Sequence, residues 1–253
     1  MIEIDLNKSI EENAGLYFDK AKKARKKKGG AEEALAKSLK KLGALKKEMP
    51  AEKEKTEKKE VKKEWYEKFR WFFSSEGFLC IGGRDATSNE IIIKKHTEKH
   101  DVVFHTDMAG SPFFVVKTEG KKVGKATLEE AAQATASWSR AWKLGAAMLE
   151  VFYVKPEQVS KKTKAGEYMP KGAFMIYGKT TYMRPELRLA VGTKDGKIIA
   201  GPINAVKKNA DKYVIIEQGR EKASALAKKI KAKIGGDIDE IVRMLPAGGA
   251  ELK

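Results

Sequence analysis

Cysteine is nearly absent. Cys80 is the single thiol in 253 residues, which excludes an internal disulfide and a thiolate metal cluster. It lies in the apolar run Phe78-Leu79-Cys80-Ile81, where a buried, inert thiol is expected rather than a nucleophile. Histidine is scarce too, with three in the chain, and a closed metal site needs more ligands than these supply. No apolar run approaches the roughly 20 residues that cross a bilayer. The acidic start Met1-Ile2-Glu3-Ile4-Asp5 is unlike a signal peptide, so a cytoplasmic chain with no membrane partner is expected. No Gly-Lys-Ser/Thr loop or G-x-G-x-x-G turn follows a strand pattern, and no nucleophile elbow or paired carboxylates stand out. No cofactor and no metal are expected.

Acidic residues are in deficit, 35 against 52 basic ones, for a net charge of +17. Such an excess suits a polyanionic partner, nucleic acid first; a lysine-rich solvated surface would look the same in composition. Hydrophobic residues make up 42%, enough for a real core. From Lys20 to Glu64 there are 18 basic and 8 acidic residues, and Lys20 to Lys28 has seven basic residues and no acid. The lysines either coat a coiled coil or, around Lys26, Lys27 and Lys28, meet phosphates that relieve their repulsion.

In chain order, Ile2, Ile4 and Leu6 alternate as an extended segment, and Ser9 with Glu12 forms a capping box. Ile10, Ala14, Tyr17, Ala21 and Ala24 repeat at heptad-like spacing, as do Leu35, Leu39, Leu42, Leu45 and Met49. Gly29-Gly30 between the two seams predicts the tip of an antiparallel helical hairpin, a coiled coil over residues 1–64, with Pro50 kinking its second arm. The fold class expected is α+β: this hairpin, then a mixed β-sheet domain with packed helices over 65–185. A C-terminal α/β extension over 186–253 is expected to pack on the same sheet.

Within the second part, two apolar runs flank Ser74-Ser75-Glu76-Gly77 as a hairpin, and Gly82-Gly83 then presents Arg84-Asp85 at the sheet edge. Ala86 to Lys99 reads as strand by Ile91-Ile92-Ile93, or as a helix capped by Asn89. Asp101–Asp107 and Pro112–Thr118 read as strands. Thr127 and Glu130 read as a capping box for a helix whose face runs from Leu128 to Leu149. Glu150–Lys155 and Ala173–Gly178 read as further strands joined by a lysine-rich loop. Lys194-Asp195-Gly196 is the strongest turn signal in the chain, with a strand at Lys212–Glu217 and helices at 219–234 and 237–245 after it.

Arg84 offers a planar fork for a phosphate or a guanine edge, held by Asp85, or the two only fix the turn. His105 and Asp107 share a strand face. They suit a general base, a metal-ligand pair, a phosphate contact, or a purely structural hydrogen-bonded pair. Ser160, Lys161, Lys162, Lys164, Lys171, Lys179 and Arg184 interleave with Tyr168, Tyr177 and Tyr182. Cations for an RNA backbone and rings for unpaired bases form a single-stranded RNA surface, although a strand tyrosine also serves as packing.

Several of these blocks occur together in order. Trp71-Phe72 with Ser74-Ser75-Glu76, Gly82-Gly83-Arg84-Asp85, Asn89-Glu90, Val103 to Asp107 with Gly110, Gln158 to Lys161, and Gly166 to Lys179 resemble the NFACT-R domain of the NEMF/RqcH family. The preceding helices resemble the family's coiled coil, and the tail resembles the end of its archaeal-type members. The resemblance implies a non-catalytic RNA- and ribosome-binding module whose partners are large-subunit rRNA and tRNA. In this family, obstructed large subunits carrying peptidyl-tRNA are recognised and stalled chains are extended without mRNA. Its tRNA-selecting residues lie in an N-terminal domain not seen here, so the chain is expected to be a fragment or a shortened relative. The alternative is an RNA-modifying or RNA-processing enzyme with a His105/Asp107 pocket.

Overall fold

The computed structural model describes residues 4, 5, 7–48, 64–162 and 169–253. The chain divides into two units, Met1–Lys62 and Lys63–Lys253. Among the described residues, the first is built on one helix, α1 (Ile10–Glu48). Its start is the expected capping box: the Glu12 amide donates to Ser9 Oγ (3.2 Å) and the Ser9 amide to Glu12 Oε2 (2.8 Å).

The expected hairpin tip is not there. α1 runs through Gly29-Gly30 without a break, and neither glycine adopts a positive φ. Each glycine costs a helix about 1 kcal/mol relative to alanine, but the flanking Lys, Ala, Glu and Leu residues are strong helix formers. Lys28 and Glu32, 3.7 Å apart, bridge the glycines at i,i+4. Ile10, Phe18, Leu35, Leu39 and Leu42 are exposed along α1. The start of the expected second arm, from Leu35, is part of α1, whereas its continuation from Met49 and Pro50 lies outside the described residues, as do Ile2 and Leu6.

The second unit begins with β1 (Arg70–Phe73), β2 (Leu79–Gly82), α2 (Ala86–Lys95), β3 (Val102–His105), β4 (Phe114–Lys117), α3 (Lys125–Ser137) and α4 (Arg140–Leu144). After these come β5 (Val151–Val154), β6 (Val159–Ser160), β7 (Met175–Ile176), β8 (Thr181–Met183), β9 (Leu189–Lys194) and β10 (Lys197–Gly201). The chain closes with α5 (Ile203–Asn209), β11 (Lys212–Glu221), α6 (Ala223–Ile234), α7 (Ile238–Met244) and β12 (Ala250–Leu252). A six-stranded sheet has the order β1-β2-β4-β3-β5-β8, and every pair in it is antiparallel rather than mixed.

Both faces of this sheet are covered, which is why its strands read as nearly continuous apolar runs rather than alternating ones. On one face Trp71, Ile81, Val103, Val115 and Val154 pack with Ile92 of α2. On the other, Phe72, Cys80, Phe104, Phe114 and Val116 pack with the alanines of α3. That second core continues without interruption into Leu189, Val191, Leu226, Ile230 and Ile241. The extension therefore shares the core, but its strands do not join the first sheet. They form a separate four-stranded sheet, β10-β9-β11-β12. β10 lies beside β1, where a Cβ on Gly201 would sit 3.0 Å from the Phe72 Cβ.

Thr127 and Glu130 do not cap α3, which starts at Lys125 with Gly124 as its N-cap. They hold the β1–β2 turn instead. The Thr127 amide donates to Glu76 Oε2 (3.0 Å), and the Ser75 amide donates to Glu130 Oε2 (2.8 Å). A carboxylate from a distant hairpin thus fills the capping role. Burial pushes the Glu130 carboxyl up, and neighbouring Glu76 and Glu129 push the same way. The expected long helix also divides, because Ser139 Oγ accepts from the Ala141 amide and starts α4 afresh.

Candidate nucleic-acid interface

The loop after β2 is shaped by close packing. A Cβ on Gly82 would lie 2.3 Å from the Phe114 ring, and one on Gly83 would lie 1.8 Å from Asn89 Oδ1. Gly82-Gly83 therefore makes room for a ring and an amide. Asn89 is buried, its Oδ1 accepting from the Phe113 amide (3.0 Å) and its Nδ2 donating to Ser111 O (3.4 Å). It fastens α2 to the loop entering β4 and is not the helix cap. Asp85 is the cap, accepting from the Ser88 amide at 2.7 Å, and these bonds hold its carboxyl below the usual range.

Arg84 is not gripped by Asp85. Its Nη1 donates to Arg243 O and its Nη2 to Phe69 O, both at 3.0 Å. The fork ties the end of β2 to α7 and to the start of β1. Its guanidinium has no carboxylate within ion-pair distance among the described residues.

His105 and Asp107 do not share a hydrogen bond. β3 ends at His105, and Asp107 lies beyond the strand, exposed. The imidazole stacks on Phe113, with ring centroids 3.7 Å apart, and its Nδ1 is 3.0 Å from Pro112 O. A carbonyl can only accept, so Nδ1 carries the proton and Nε2 is unprotonated in the neutral ring. Burial lowers the His105 pKa, against smaller raising effects from the Pro112 bond and Asp107. The arrangement is a packed, neutral histidine. Among the described residues no three His, Cys, Asp or Glu side chains gather as a metal site.

The lysine-rich segment is anchored on α2. Lys161 Nζ donates to Pro170 O (3.1 Å), lies 3.5 Å from Glu90 Oε2 and sits 4.7 Å over the Phe174 ring. Glu90 also accepts from Lys94 (2.6 Å) and the Gly172 amide (3.1 Å). These bonds, Lys94 first, draw its carboxyl down to about 2. Gly172, at φ +80°, lies against Ala86, where a Cβ would meet the Ala86 Cα at 2.6 Å. Lys161 is thus a positioning cation neutralised by Glu90, and Ser160 Oγ accepts from the Lys162 amide at 3.0 Å. Sequence reasoning left Glu90 and Phe174 out of the site. The i,i+4 spacing of Glu90 and Lys94 was the available signal.

What this scaffold displays is Lys162, Lys171 and Lys179, all exposed. Their ammonium groups make no ion pair or hydrogen bond among the described residues. Tyr177 and Tyr182 are 47% and 49% exposed. The Tyr177 hydroxyl donates to Lys162 O (2.9 Å), and the Tyr182 ring rests edge-on to Phe152. Arg184 is engaged by Glu150 at 2.9 Å. Lys164 and Tyr168 lie outside the described residues. On α1, Lys26, Lys27 and Lys28 are exposed along a continuous helix rather than at a tip.

Exposed cations and half-exposed rings are the side-chain types an RNA surface uses. Residues 68–178 match the profile of the NFACT protein RNA binding domain. The chain belongs to the NEMF/RqcH family. Over 205 residues it is 45% identical to the archaeal Rqc2 homolog aRqcH of Methanocaldococcus jannaschii, covering 77% of this chain and 30% of that protein. The NEMF homolog of Drosophila melanogaster, a ribosome quality control complex subunit, is 35% identical over 76% of this chain and 20% of its own length. Human NEMF, named likewise, is 37% identical over 68% of this chain and 16% of its own length. The chain thus spans less than a third of these NEMF/RqcH relatives.

Proposed function

We propose that this chain is a non-catalytic RNA-binding module of a ribosome quality control factor. Its partners are large-subunit rRNA and tRNA, and it supports recognition of obstructed large subunits carrying peptidyl-tRNA and mRNA-independent tailing of the stalled chain. The observation that carries this reading is the exposed set Lys162, Lys171 and Lys179 beside Tyr177 and Tyr182, within or next to the span that matches an RNA-binding domain. Lys26, Lys27 and Lys28 on α1 add a second run of exposed charge. Asp85, Asn89, His105, Ser160 and Lys161 act here by shaping and holding the surface, not by reading bases, while Asp107 lies exposed beyond β3.

An RNA-processing activity centred on His105 and Asp107 finds less support, because the ring is packed and its Nδ1 is committed to Pro112. Cross-linking the protein to RNA in lysate by ultraviolet light, then sequencing the attached RNA, tests the reading. Enrichment of large-subunit rRNA and tRNA, reduced by Lys26→Glu, Lys27→Glu and Lys28→Glu together, is the expected result. A turnover abolished by His105→Ala with RNA affinity intact would turn the assignment to an enzyme.

A further inference from the structure

Outside the lysine surface, three arginines lie near one another at one end of the first sheet. Arg70 opens β1, Arg84 follows β2, and Arg243 lies in the last turn of α7. Main-chain links hold them together. Arg84 donates to Arg243 O and to Phe69 O, next to Arg70, and Trp138 Nε1 donates to Met244 O (3.1 Å). The Arg70 guanidinium sits 5.1 Å over the Trp138 ring.

The counter-charge here is only partial: burial and then Arg243 lower the Arg84 pKa, and Asp85 acts to raise it. No carboxylate lies within ion-pair distance of any of the three among the described residues, and Arg70 makes no hydrogen bond there. Arg70 Nη1 and Arg84 Nε are closed off from solvent without a partner. Burial, then neighbouring Arg84, pulls the Arg70 pKa down to about 9, so the group is still charged at neutral pH. A half-buried cation near a second cation is costly unless an anion joins it, and unsatisfied buried donors call for an explanation.

The geometry points to an oxyanion site formed by Arg70 and Arg243, with Arg84, both of whose Nη atoms already donate to carbonyls, adding charge, and this site takes a phosphate group. Guanidinium forks match phosphate oxygens, and a tetrahedral group accepts donors arriving from several directions, whereas a carboxylate accepts in one plane. The site is composite. Arg70 and Arg84 fall inside the span matching the RNA-binding domain, and Arg243 lies beyond it. It rests on the RNA-binding reading only for the source of the phosphate, which is a backbone phosphodiester of bound RNA or free inorganic phosphate.

The test is thermal unfolding of the full chain against sodium phosphate, at constant pH and with ionic strength held by sodium chloride. Wild type should show a saturable rise in Tm that Arg70→Gln and Arg243→Gln both reduce. Arg243 is exposed, so its variant keeps the fold even if Arg70→Gln does not. General salting effects move all three proteins alike. Affinity for a single-stranded RNA oligonucleotide is measured in parallel. A drop of about tenfold in Arg243→Gln, with phosphate competing, assigns the site to RNA backbone. Unchanged RNA affinity beside a lost phosphate response assigns it to free phosphate. No saturable response in wild type, or an equal one in Arg243→Gln, overturns the site even if RNA binds elsewhere. Absence of RNA binding in wild type would instead count against the module reading and leave the phosphate arm to decide.

Discussion

At the scale of single residues, side chains that look like readers of RNA turn out to hold the surface up. Asn89 spends its amide on the Phe113 and Ser111 main chain, and Gly83 is bare because Asn89 lies where its Cβ would go. Gly83→Ala should therefore overpack this contact and cost about 1–3 kcal/mol. Urea unfolding measures it, and a change within error would mean that α2 shifts freely. His105 carries a pH dependence with a definite sign. Burial favours the neutral ring, so the unfolded chain takes up the proton first as pH falls below about 6.5. Its contribution to stability is complete above that pH and lost below it. His105→Gln should flatten the decline of the urea midpoint between about pH 7 and pH 5; parallel curves for variant and wild type would refute the assignment. Neither partner of His105 was legible beforehand. The strand pattern placed Asp107 on its face, but β3 ends at the histidine, and the acceptor comes from Pro112 across the next turn.

At the scale of elements, local patterns were read well where the signal was local. Asp195-Gly196 turns with φ of +48° and +77° between β9 and β10, as an Asp-Gly hairpin should. Ser9 and Glu12 cap α1. Thr127 and Glu130 show the limit, since the spacing is that of a capping box but the partners are Ser75 and Glu76, some fifty residues upstream. Only the folded chain brings them together. Gly29-Gly30 shows a second limit, because a glycine pair breaks a helix only when its neighbours are weak helix formers. Replacing both with alanine should raise helicity and stabilise α1 by about 1 kcal/mol per site. Far-ultraviolet circular dichroism of the full chain measures this. A loss of helical signal would mean that a turn forms there after all.

At the scale of the molecule, composition suited a polyanion partner and the ordered motifs announced the family. The arrangement of the sheets was less accessible. β9 to β12 have hairpin signals like any others, and nothing local tells them to build their own sheet beside β1. β12 and α5 are short and lack periodicity long enough to read. Charge placement was half legible. The basic residues were visible, but that Glu90 neutralises Lys161 and Glu150 engages Arg184 depends on carboxylates coming from other elements. What remains is the exposed set Lys162, Lys171 and Lys179 with Tyr177 and Tyr182, and its proposed role in RNA binding is the central claim.

Its most direct test is a salt titration of single-stranded RNA binding by the full chain and by a variant with Lys162→Glu, Lys171→Glu and Lys179→Glu together. Wild type should lose affinity linearly in log salt, with a slope of about −0.7 per phosphate neutralised. The variant should bind at least about tenfold more weakly and with a shallower slope. A variant that binds as tightly as wild type, with the same slope, would contradict the account.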